Sequence, residues 1–151
     1  MIDKLIRIIY YLLFLITPLT MSKFTSELFE FNKIMLIYFI AALVFFLWVL
    51  KSVKEKKILF KRTVLDIPIL TFLLSQILST IFSIDKYTSF FGYYGRFNCG
   101  LLSIIVYIFL YYGFVSFFDT KKFEFFLKTS IWSSLIVILW GLPGKFGLDL
   151  S

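Results

Sequence analysis

The sequence predicts an all-α fold: a polytopic membrane helix bundle of about five transmembrane helices, with the N-terminus cytoplasmic. Three observations carry this. Of the 151 residues, 60% are hydrophobic, against about half in a soluble domain. Charged residues make up only 17% and lie in clusters. Between the clusters run uncharged segments approaching the roughly 20 apolar residues that a bilayer-spanning helix needs.

The first span is read as 5–21. Ile8–Thr20 is apolar, and Leu5 and Ile6 extend it behind Asp3, Lys4 and Arg7. A signal peptide competes, because the start is basic and the core short. Pro18-Leu19-Thr20-Met21-Ser22 lacks the small-residue cleavage pattern, which favours a retained span. Pro18 near the far end costs few intrahelical bonds. After a polar connection, Lys23–Lys33, comes the second span, 34–50, with Lys33 and Lys51 at its borders and Trp48 near one interface. Lys51–Arg62 is a basic hinge in which Glu55 is the sole acid. The third span, 67–84, starts with Asp66 where an N-cap belongs and Pro68 in the first turn. The fourth is 101–118. A basic connection, Asp119–Lys128, leads to the fifth, 129–144, which Pro143-Gly144 is expected to stop. Leu142–Ser151 reads as the opening of another outside loop, so the chain is expected to be the N-terminal part of a longer protein.

Net charge is +7, but the bases sit at the ends of apolar runs, where they anchor to headgroups and set orientation rather than bind nucleic acid. Alternating sides from a cytoplasmic N-terminus leaves Lys23, Lys33, Lys86, Arg96 and Lys145 outside and the other eleven of the sixteen Lys and Arg inside. The bias puts residues 85–100 on the outer side of the cell membrane. Histidine is absent, which removes histidine general-base catalysis and most zinc sites from this chain. The single cysteine, Cys99, has no neighbour that would lower its pKa and reads as a small filler. No metal-ligand cluster, paired-carboxylate spacing or phosphate loop is present. No cofactor is expected, and no catalytic residue is assigned.

Two polar stripes cross the spans. Ser75, Ser79 and Ser83, flanked by Gln76 and Thr80, fall on one face of the third. Ser103, Tyr107 and Tyr111 do so in the fourth. Close helix packing explains such faces, and so does the wall of a polar cavity. In the fifth span Ser130, Ser133 and Ser134 need only packing. The candidate site is the Asp85–Gly100 loop, with Tyr87, Phe90, Phe91, Tyr93, Tyr94 and Phe97 among Gly92, Gly95 and Gly100. An interfacial aromatic girdle is one reading. The other is a binding wall: Arg96 sits among aromatics rather than among other bases, and its planar fork of donors suits phosphate. Arg96 could instead pair with Asp85 or reach the headgroups. Asp85 is a helix-end or salt-bridge residue first, and a base second.

The run Leu78–Ser89, followed by Gly92-Tyr93-Tyr94-Gly95-Arg96-Phe97-Asn98-Cys99-Gly100, resembles the O-antigen ligase and O-antigen polymerase superfamily of multi-pass bacterial membrane proteins. The likeness extends to Phe29–Lys33 and Lys61–Pro68 and covers most of residues 10–145, as the N-terminal spans of such a protein. It implies glycan transfer outside the cytoplasm, without metal or nucleotide, from a polyprenyl pyrophosphate carrier to an acceptor hydroxyl. It implies that Arg96, with Tyr93, Tyr94 and Asp85, forms part of a pyrophosphate- or sugar-binding wall. The family's large outer loop, bearing further arginines and a histidine, has no counterpart here, so this chain is expected to be inactive without the missing C-terminal half. Cys99 stands where the resemblance leads one to expect glycine. Membrane lipids are the other expected partner. A non-enzymatic small multi-pass protein, a scaffold or transporter subunit, is the alternative.

Overall fold

The computed structural model describes residues 2–20, 30–57 and 59–145. The end of the first expected span at Met21, the connection up to Phe29 and the tail after Lys145 lie outside them. The described residues are helical, with no strand. The elements are α1 (Ile2–Leu19), α2 (Glu30–Glu55), α3 (Asp66–Ile81), the short α4 (Lys86–Phe91), α5 (Leu101–Phe117) and α6 (Thr120–Lys145).

The helices alternate in direction. Asp3 in the first turn of α1 forms an ion pair with Lys51 near the end of α2, and the Lys51 ammonium lies 4.9 Å from the centre of the Phe117 ring at the end of α5. These three helix ends therefore share one face of the bundle. At the opposite face Tyr38, early in α2, donates to the Phe97 carbonyl at 3.0 Å, just ahead of α5. The α6 helix runs back along α1, where the buried Ser133 hydroxyl donates to the Leu15 carbonyl at 3.1 Å. That bond gives the serine a place in the packing of α6 on α1.

Helix α1 is amphipathic despite its apolar look. Ile6, Tyr10 and Leu13 recur at helical spacing and are buried, against Ile40, Ala41 and Val44 of α2 and Leu110 and Phe117 of α5. Tyr10 is the centre of this core. Its hydroxyl donates to the Leu110 carbonyl at 2.8 Å, and its ring meets Phe114 and Phe118 edge-on, with centroids 5.8 and 5.7 Å away. Gly113 makes room, since a Cβ there would run into the Tyr10 hydroxyl. In contrast, no residue of α3 is buried, and among the described residues it packs against α4 and α5 alone.

Among the described residues one helix, α2, is long and apolar enough by length and composition to cross a membrane; α3 and α5 are shorter apolar helices. Several expected boundaries move. The α2 helix runs past both bordering lysines, and α6 begins at Thr120, nine positions before the expected start at 129, taking the basic connection into the helix. Lysine and glutamate are good helix formers, and a charge at a membrane border ends the apolar run, not the hydrogen-bond ladder. The expected stop at Pro143-Gly144 does not occur, and α6 carries on to Lys145: a proline so near a helix end frees few carbonyls. In place of the expected 67–84 span, the helix ends at Ile81. Asp66 is not the N-cap of α3, a place held by Leu65. Its carboxylate turns back to accept from the Thr63 amide at 3.0 Å and hydroxyl at 2.7 Å, and from the Tyr112 hydroxyl at 3.0 Å.

Replacing Gly113 with Ala should lower stability by about 1–3 kcal/mol, the usual cost of overpacking a close contact. Tyr10→Phe alone should cost about 1 kcal/mol through its lost hydrogen bond. The double variant should lose less than the sum, because removing the hydroxyl removes the clash. Unfolding midpoints of the detergent-solubilised variants on titration with a denaturing detergent check this; strict additivity would disprove the close approach.

Candidate functional site

The Asp85–Gly100 segment is a folded unit rather than an open loop. Asp85 caps α4: its Oδ1 accepts from the Thr88 amide at 3.1 Å and its Oδ2 from the Thr88 hydroxyl at 2.5 Å. The Thr88 hydroxyl bond, then the Thr88 amide bond, hold the Asp85 carboxyl below the usual carboxylate range. Ser83 joins the cap. Its hydroxyl donates to the Asp85 carbonyl at 3.1 Å and accepts from Ser89 at 2.6 Å. The end of the third-span stripe is thus tied into the loop, while Ser75 and Ser79 remain exposed.

After α4 the chain doubles back on itself at Gly92, where φ is 91°. A Cβ on Gly92 would fall on the Asn98 carbonyl, and one on Gly100 would fall on the Gly92 amide. The two backbone strands of the loop cross with no room for a side chain between them. Arg96 and Phe97 amides both close on the Tyr93 carbonyl, at 3.1 and 3.0 Å. That turn points Tyr93 and Tyr94 outward, 70% and 81% exposed. Cys99, itself exposed, has φ 62°, a left-handed backbone that glycine adopts without strain.

The base of the loop is fixed to two helices. Asn98 Oδ1 accepts from the Cys99 amide at 2.9 Å and from the Tyr107 hydroxyl at 3.3 Å. Tyr38 of α2 reaches the Phe97 carbonyl, and the Phe31 and Phe97 rings lie 5.9 Å apart. Ser103, fully buried, donates to the Gly100 carbonyl at 2.7 Å. Ser103 and Tyr107, two of the three residues of the expected fourth-span stripe, are therefore the loop's mount.

Of the sequence candidates, Arg96, Tyr93 and Tyr94 share one turn, and Asp85 stands at the other end of the segment as a cap. Arg96 Nε pairs with Glu30 Oε2 at 3.6 Å, and half of its side chain stays exposed. Glu30, the first residue of α2, was not among those candidates. Neither were Tyr38 and Asn98, which hold the loop in place. Their one sequence signal is position: each lies within about four residues of the expected start of the 34–50 or 101–118 span.

A cleft of about 510 Å³ opens between α1, α5 and α6, with Ile37 of α2 at its wall. Its walls include Leu13, Phe14 and Pro18 of α1, Phe126 of α6, and Tyr107, Leu110 and Phe114 of α5. Its polar side chains are already satisfied by the protein: Tyr10 by Leu110, Thr17 by the Leu13 carbonyl, Tyr107 by Asn98 and Tyr111 by Thr63. The cleft therefore offers a ligand hydrocarbon contact and little else. Tyr107 belongs both to this wall and to the loop's mount.

Gly92→Val should break the backbone crossing, at a cost of at least about 2 kcal/mol for strain and overlap. Trypsin cleavage after Arg96 should then be much faster than in the parent protein, while α2 stays protected. Equal cleavage rates would mean that the crossing does not order the loop.

Comparison with protein-family models, with curated proteins and with solved structures finds no match to this chain.

Proposed function

We propose that this chain is the N-terminal membrane portion of an O-antigen ligase-like glycosyltransferase, which moves a glycan from a polyprenyl pyrophosphate carrier to an acceptor hydroxyl outside the cytoplasm. In this reading the five long helices cross the membrane with the N-terminus inside, and residues 85–100 form part of the outer face. The observation that carries it is the juxtaposition at Tyr107. An apolar cleft of about 510 Å³ shares that residue with a hydrogen-bonded loop presenting a half-exposed arginine. An apolar tail and an anionic head need such neighbours. Arg96 would meet the pyrophosphate through its planar donors, which stay protonated at any working pH. Tyr93 and Tyr94 would flank the sugar. Asp85 shapes the loop as a helix cap, with Thr88 bonded to both of its carboxylate oxygens.

The rival is a non-enzymatic multi-pass protein in which the same aromatics only anchor the bilayer surface. The exposure of Tyr93 and Tyr94 favours it. Glycan transfer separates the two. In the full-length protein Arg96→Lys should leave folding intact and lower transfer by about ten- to a hundredfold, because lysine lacks the planar fork. Unchanged transfer would rule out the phosphate role. The placement has its own test. A membrane-impermeant thiol reagent should label Cys99, an exposed thiol, in intact cells. Labelling only after permeabilisation would reverse the topology.

A further inference from the structure

The segment joining α2 to α3 is built as a platform. Trp48 Nε1 donates to the Leu59 carbonyl at 2.9 Å, although Trp48 lies about 10 Å of helix rise before the end of α2. The hinge therefore folds back along the bundle instead of looping away from it. It is fixed there by α5: the Lys61 amide donates to Ser116 Oγ at 3.3 Å, and the Phe60 and Tyr112 rings lie 4.7 Å apart. The Thr63–Asp66–Tyr112 knot closes it.

With its backbone fixed, the segment turns its side chains outward. Lys54, Lys56, Lys57, Lys61 and Arg62 are all exposed. Among the described residues Lys54, Lys56, Lys57 and Lys61 make no ion pair, since the hinge's one acid, Glu55, pairs with Lys51 at 3.6 Å. Interleaved with these bases stand exposed apolar side chains: Val53, Phe60, Val64 and Leu65. We infer that this hinge is a binding surface for anionic phospholipid headgroups, with its lysines at the phosphates and its apolar residues in the upper acyl region. Charge alone would also suit free phosphate or nucleic acid. Neither would cover the apolar residues, whereas a lipid surface covers both kinds at once. The inference rests on the membrane placement proposed above and not on glycan transfer.

Trp48 is a natural reporter, because its indole touches the hinge. The full chain carrying Trp132→Phe and Trp140→Phe, so that Trp48 is the sole tryptophan, is reconstituted in phosphatidylcholine vesicles. A fixed fraction of brominated phosphatidylglycerol or of brominated phosphatidylcholine is included. Phosphatidylglycerol should quench Trp48 more strongly, and the difference should shrink at high salt. Each Lys→Gln substitution at 54, 56, 57 or 61 should reduce the local excess of phosphatidylglycerol by up to about fivefold, and the quadruple variant should abolish it. The quadruple Lys→Arg variant should keep it. Equal quenching by the two lipids in the parent protein would overturn the inference. So would a loss in the arginine variant as large as in the glutamine variant, which would show that charge is not the cause. Glycan transfer is no part of this readout, so a failed Arg96 test leaves this result standing, and equal quenching leaves that reading standing.

Discussion

One hydrogen bond sets the depth at which the first helix sits. The Tyr10 hydroxyl is buried at the centre of an apolar bundle, where an unmade bond costs far more than in water. The Leu110 carbonyl is its acceptor. That oxygen can also serve the helix ladder, since a carbonyl has two lone pairs. A one-turn slide of α1 would leave the hydroxyl among Leu and Phe side chains with nothing to bond. Gly113 is the matching concession on α5, a position kept without a side chain so that the hydroxyl fits. The Asp3–Lys51 pair at one end of α1 and the Ser133–Leu15 bond toward the other are compatible with that one depth.

The cleft follows from the same arrangement. Helices α5 and α6 meet at their turn, where Phe114 and Phe118 stack at 4.2 Å and Phe126 packs on Phe114 at 4.8 Å. Beyond that aromatic wedge α6 follows α1, not α5. The space left open at the far end is lined by residues from four helices, α2 contributing Ile37. Because every tyrosine and threonine in the lining spends its hydroxyl on the protein, the cleft stays apolar although four of its side chains carry oxygen.

Much of this was legible in the sequence, and the rest was not for identifiable reasons. The helical class and the special character of the Asp85–Gly100 loop follow from composition and from glycine spacing, which are local. Asp85 as a helix end was also readable, since an aspartate three residues before Thr88 has little else to do. Helix ends differ from the expected ones where a charge cluster marks the border of an apolar run. Ladder geometry ignores charge, so α6 begins amid Lys121 and Lys122. The partners of the loop were invisible because they depend on which helices touch. Glu30, Tyr38 and Asn98 are ordinary residues until α2 and α5 are side by side. Asp66 reads as a cap, yet it accepts from Thr63, three positions before it, and from Tyr112, 46 positions away.

Helix α5 links the two polar ends of the molecule. Ser103 and Tyr107 hold the Asp85–Gly100 loop, while Tyr111, Tyr112 and Ser116 hold the hinge. Tyr107 and Tyr111 are a single turn apart, about 6 Å along the axis, yet they reach opposite loops. Both loops must therefore fold inward along α5. This accounts for the short apolar helices: α3 has 16 residues and α5 has 17, or roughly 24 and 26 Å of rise against a bilayer core of about 30 Å. In the proposed membrane placement the shortfall is met by snorkelling lysines and by local thinning, and the exposed bases of the hinge are well placed for the first of these. A single apolar helix with tyrosines at two successive turns thus fixes how far apart the loop and the hinge can stand.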